Sequence, residues 1–261
     1  MDKNVKQTKA AKAQAEEAAL NRILCWVTGG AVLEFLMLLL NRYWINHRVS
    51  EIALWATLHT VVKVVAIAAL VLAVGAFAWW RWAHNAGKGV NLPATLCLTL
   101  VGISAGSFAT WLFSNTGVRV MYVLVPVVVV LALIYYLYQR EFFLLSCQSA
   151  LSLLGVWLCA MGLNSAKAFI CYLYVVAAAL AVLASAYLCY RLQAGKGVLE
   201  WEERKWKVFS KGANYTLLYV GAVLAMLTLI GAVLGLSQMI LYGVSAAWLL
   251  VMAVYYTVKL M

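Results

Sequence analysis

Aspartate occurs once in this chain, at Asp2, and only 11% of the 261 residues carry a charge of either sign. With a single aspartate there are no acid pairs for metal-assisted or phosphoryl chemistry. Neither a Walker phosphate loop nor a dinucleotide fingerprint occurs. The histidines are three, His47, His59 and His84, and none lies at ligand spacing from the six cysteines. Those cysteines (Cys25, Cys97, Cys147, Cys159, Cys171, Cys189) include no CxxC pair. They read as small buried groups at helix contacts rather than disulfide partners or metal ligands, and no cofactor is expected. The N-terminus has no short apolar core followed by a small-residue cleavage site, so the first apolar run reads as a span and not as a secretory signal.

What the chain has in excess is apolar length. Hydrophobic residues make up 66% of it, and mean hydropathy is +0.91. Soluble domains run at about 25% charged and about half apolar, so a globular composition is excluded. Apolar stretches long enough to cross a bilayer core recur from Ile23 onward. Runs such as VMYVLVPVVVVLALIYYLY (120–138) lack the alternation of a barrel strand. The expected fold class is therefore an all-α integral membrane protein with about eight transmembrane helices, near 22–42, 54–82, 94–113, 118–138, 142–163, 167–191, 214–235 and 238–259. The link around 236–238 holds no charge, which leaves a seven-span count open.

The net charge of +11 is sorted. With eight spans and a cytoplasmic N-terminus, fifteen basic residues fall on the inner side. Only Arg42, Arg48, Arg119 and Lys167 fall outside, and Lys63 lies within a span. That asymmetry follows the positive-inside rule and predicts both termini in the cytoplasm. Basic residues in short loops beside spans fit anionic headgroups at the cytoplasmic face, not a nucleic acid. Aromatic clusters at the predicted span ends (Tyr43-Trp44, Trp79-Trp80-Trp82, Tyr135-Tyr136-Tyr138) agree with these depths. Residues 1–21 read as a polar helical N-terminus, 22–140 as a first four-helix half and 141–261 as a second.

The pentapeptide AGKGV occurs at 86–90 and again at 194–198, each time after an aromatic-rich span end. Aligning the copies places the sixth span on the second. At a longer offset the eighth then matches the fourth, Tyr135-Tyr136 falling on Tyr255-Tyr256. The reading is a tandem four-plus-four duplication in parallel orientation. Chance matching among common residues is the competing account.

Two groups of residues are candidate sites. Glu34 and Lys63 lie inside the first and second spans at similar predicted depth, with His59 one turn from Lys63 on the same face. A charge in lipid is costly and tends to pair, so a Glu34–Lys63 ion pair is expected, either as a proton or ligand site or as glue between helices. Lys63 snorkelling to the interface is the alternative. The inner segment 191–212 mixes Lys196, Arg204, Lys205, Lys207 and Lys211 with Trp201 and Trp206. It fits a short helix at the headgroup boundary, a docking surface for a membrane or cytoplasmic protein partner, or a solvated loop. GISAG (102–106) matches the letters of a nucleophile elbow. It lacks the strand–turn–helix context and reads instead as a small-residue packing face, with Gly231 and Gly235 as a second.

No catalytic constellation emerges, and the chain is not expected to be an enzyme. A non-catalytic membrane module, a scaffold or subunit of a membrane complex, fits the scarcity of polar groups inside the spans. A small-solute transporter or permease-like protein using Glu34 and Lys63 is the alternative. The compact loops point to a bacterial plasma membrane.

Overall fold

The computed structural model describes residues 2–86, 89, 91–162, 168–195, 198–201, 204–209 and 213–260. Its helices are α1 (Asp2–Trp44), α2 (Ile52–Asn85), α3 (Asn91–Phe113), α4 (Asn115–Leu137), α5 (Arg140–Gly162), α6 (Ala168–Ala194), α7 (Tyr215–Val233) and α8 (Gln238–Leu260). All eight contain a stretch long and apolar enough to cross a membrane, as expected of a multi-pass integral membrane protein. Between α6 and α7 lie two short antiparallel strands, β1 (Val198–Trp201) and β2 (Arg204–Lys207). The chain divides into two compact units, Met1–Val129 and Val130–Met261, with the boundary inside α4.

In the first unit α2 and α3 form the closest helix pair. The buried face of α2 is a row of alanines, Ala66, Ala69 and Ala73. Side chains this small let backbones approach, and two α3 groups exploit the approach. The Ser104 hydroxyl donates to the Ala66 carbonyl (3.1 Å), and the Cys97 thiol lies 3.8 Å from the Ala73 carbonyl. The expected Gly102/Gly106 face is not this contact: a Cβ on Gly102 would meet nothing within 4 Å. α3 turns into α4 through one residue, Ser114, in the left-handed conformation (φ 47°). The reversal brings Gly117 against α3 so closely that a Cβ there would lie 2.1 Å from the Ala109 carbonyl oxygen.

The second unit is organised around α5, which packs against α6, α7 and α8. Its apolar window is 50% buried, whereas that of α4 is 0% buried. One core cluster gathers Phe142, Leu145, Cys189, Leu192, Phe209, Leu218, Met252 and Tyr256. A second, toward the opposite ends of the same helices, gathers Val156, Cys159, Cys171, Ala232 and Leu241.

The uncertain link near 236–238 is a helix stop. Gly235 adopts φ +74°, its N–H donates to the Ala232 carbonyl (3.3 Å), and the Leu236 N–H donates to the Gly231 carbonyl (2.9 Å). That crossed pair of bonds is the Schellman termination, which favours glycine at the left-handed position. Gly231 is the packed member of the expected small-residue pair, facing Leu241 and Leu236, while Gly235 supplies the turn. α7 and α8 are therefore separate helices, and the seven-span count is not adopted.

Candidate functional site

Glu34 belongs to the packed stripe of α1, with Gly30, Met37, Asn41 and Trp44 at three- and four-residue spacings. Its Oε2 is buried and has no hydrogen-bond partner among the described residues. The Lys63 ammonium does not reach it. It lies instead over the ring of Trp111 on α3, 5.4 Å from the centroid, in cation–π geometry. The expected ion pair is thus not formed, for a positional reason. Lys63 stands three residues before Ala66, on the face of α2 that packs along α3, and so it is turned toward Trp111.

His59, the third member of that group, takes part in an aromatic stack. Its ring lies 5.3 Å from that of Trp44 and 5.8 Å from that of Trp55, and Trp55 lies 5.7 Å from His47. His47 Nδ1 is 3.1 Å from the Trp44 carbonyl. The same link holds an Arg42–Glu51 ion pair (3.2 Å), and Glu51 accepts from the Arg48 backbone N–H (2.8 Å). Together these contacts fasten the end of α1 to the start of α2, with Trp44 only 1% exposed.

The basic segment is not the expected short helix. Trp201 closes β1, while Arg204, Lys205, Trp206 and Lys207 form β2. The register pairs Leu199 with Trp206 and Trp201 with Arg204. Because strand residues alternate sides, positions 199, 201, 204 and 206 share one face of the ribbon and 198, 200, 205 and 207 the other. Alternation with a period of two is a strand signal, and it competes with the helical reading of a mixed Trp/Lys segment. Lys196 and Lys211 lie outside the described residues.

A constellation that the sequence did not single out sits where this segment meets the second bundle. Glu141, 1% exposed at the first turn of α5, accepts from the Lys259 ammonium in the last turn of α8 at 3.1 Å. Lys259 also lies 5.5 Å from the Tyr256 ring centroid, and Tyr256 stacks near Phe142 at 5.4 Å. The Arg140 guanidinium donates to the Val208 carbonyl (3.5 Å), and Phe209 is buried in the adjoining core. Tyr215 and Tyr219 on α7 donate to the Leu192 carbonyl (3.3 Å) and to Gln193 Oε1 (3.0 Å). Charge complementarity supports the arrangement, since an acidic group stands at a helix N-terminus and a basic one at a C-terminus. Those helix-end positions were the available signal; the adjacency of α5 and α8 was not.

Below this cluster, α5 carries a buried polar stripe. Gln148 Nε2 donates to Ser185 Oγ on α6 (2.7 Å), and Ser185 donates in turn to the Val182 carbonyl (2.7 Å). Ser152 donates to the Ser149 carbonyl (2.9 Å), and the Tyr174 hydroxyl of α6 donates to the Leu151 carbonyl (3.0 Å). Among the described residues no group of three or more His, Cys, Asp and Glu side chains could hold a metal ion. Comparisons with protein-family models, with curated proteins and with solved structures find no match to this chain.

Proposed function

We propose that this chain is a non-catalytic membrane module, a scaffold or subunit of a larger membrane complex. The observation that carries this reading is the use α5 makes of its polar groups. Glu141 bonds to Lys259 on α8 and Gln148 to Ser185 on α6, contacts that hold helices together, while Ser152 bonds back to the Ser149 carbonyl within α5. A groove of about 250 Å³ between α6 and α7 is lined by Val182, Leu183, Ala186, Tyr219, Ala222, Val223, Met226 and Leu227. That lining suits an acyl chain or a neighbouring helix better than a hydrated solute.

In this reading both termini lie in the cytoplasm of a bacterial cell, as the sorting of basic residues supports. The first AGKGV copy follows the end of α2 and the second begins at the last residue of α6, and this reading takes them as marks of a tandem duplication of four helices in parallel orientation. Segment 191–212 lies at the anionic headgroups of the inner leaflet, or against a partner there, with Lys196, Arg204, Lys205, Lys207 and Lys211 supplying charge. A second reading, a small-solute transporter or permease, is favoured by one observation, the buried and unpartnered Oε2 of Glu34.

Two measurements separate the readings. Extraction of native membranes into polymer-bounded lipid discs is expected to yield particles whose protein mass exceeds the 28.7 kDa of one chain. In parallel, the purified chain in liposomes is expected to leave solute and proton permeability at the empty-liposome level. A monomer in the discs, together with a flux that Glu34→Gln abolishes, overturns the module and establishes transport.

A further inference from the structure

Cys159 and Cys171 meet at the end of the second bundle where α5 leads toward α6. Cys159 stands three residues before the end of α5 and Cys171 three after the start of α6. Both are buried, 2% and 3% exposed, in the apolar cluster with Val156, Ala232 and Leu241. Their sulfur atoms are 2.8 Å apart. Another thiol, that of Cys97, lies 3.8 Å from a backbone carbonyl.

We propose that Cys159 and Cys171 are an oxidation site that closes to an intrachain disulfide, stapling α5 to α6. A disulfide requires its sulfurs at about 2.05 Å and a sharply limited backbone separation. Neighbouring antiparallel helices already holding the two sulfurs at 2.8 Å leave only a small side-chain adjustment. The compartment follows from the topology proposed above, on which this inference rests. With cytoplasmic termini the α5–α6 link faces the non-cytoplasmic side, where disulfides persist.

The oxidant is a disulfide-bearing protein of the thiol–disulfide exchange class. One cysteine thiolate attacks the oxidant's disulfide, releasing one of its sulfurs as a thiol and forming a mixed disulfide. The second cysteine then displaces the oxidant's other sulfur. Two S–H bonds of the chain are replaced by one S–S bond, and the two protons and two electrons leave on the oxidant as its two thiols. The pair lies within a turn of the helix ends, within reach from the membrane boundary as the bundle assembles.

The test uses the full chain in cells that express it. Cells are lysed in SDS with N-ethylmaleimide, then reduced and labelled with a polyethylene-glycol maleimide. Two labels per chain are expected after reduction and none without it, with both lost in Cys159→Ser. Digestion of the unreduced wild-type chain is expected to give one linked peptide pair containing Cys159 and Cys171, a readout that stands even if the variant fails to accumulate. Blocking of both cysteines before reduction, or linkage through a different cysteine, overturns the proposal. A reporter fused to the C-terminus of the same chain reads the topology separately, so a failed staple and a failed orientation are told apart.

Discussion

Glu141 shows what a single buried charge requires of its surroundings. A carboxylate at 1% exposure is tolerable only while a cation and hydrogen-bond donors face it, and Lys259 provides the cation at 3.1 Å. Lys259→Met is expected to destabilise the folded chain by on the order of 3 kcal/mol, because it leaves a desolvated negative charge behind. Pairing that change with Glu141→Gln is expected to recover most of the loss. Denaturant titration of the three proteins in one detergent measures both effects; a double variant no more stable than Lys259→Met would refute the pairing. Lys63 teaches the converse. Its place inside an apolar run was legible in the sequence, but its partner was not. Depth along the helix suggested Glu34, whereas the direction set by Ala66, Ala69 and Ala73 delivers it to Trp111.

At the scale of the element, tight turns were the least legible part of the sequence. Apolar run length gave eight helices because bilayer thickness fixes that length. It could not foresee that Ser114 alone reverses the chain between α3 and α4. Ser114 carries a left-handed conformation that costs a side chain roughly 1–2 kcal/mol, so Ser114→Gly is expected to stabilise by about 1 kcal/mol. Gly117→Ala is expected to act the other way. Its Cβ would lie 2.1 Å from the Ala109 carbonyl oxygen and 2.8 Å from the Thr110 Cα, and backbone cannot yield as a side chain can. A loss of about 2 kcal/mol is the expected outcome, read in the same titration. Gly102→Ala serves as the control, since open space surrounds that position. The ribbon at 198–207 escaped notice for a different reason: VLEW and RKWK are each four residues long, too short for a period of two to outweigh their Trp and Lys content.

For the molecule as a whole, the division at Val129 and Val130 has an energetic counterpart. Compact units, each with its own internal packing, are expected to lose structure as separate cooperative blocks. Denaturant unfolding of the wild-type chain is expected to show two transitions, with Gly117→Ala shifting one and Lys259→Met shifting the other. A single transition displaced by both substitutions would show that the units unfold as one. Function was less legible than architecture at this scale. Two polar groups of α5 are engaged with neighbours distant in sequence, Gln148 Nε2 with Ser185 and Glu141 with Lys259, and only the folded bundle reveals those engagements.

The one-residue turn at Ser114 also bears on how the chain is made. With α3 ending at Phe113 and α4 starting at Asn115, Ser114 is the one residue outside helix between the two apolar runs, and the polar residues Asn115 and Thr116 already belong to the first turn of α4. So short a link leaves an insertion machine little chain to play out between the third helix and the fourth. The expected consequence is that the two enter lipid together, as a hairpin whose close approach at Gly117 is set from the start.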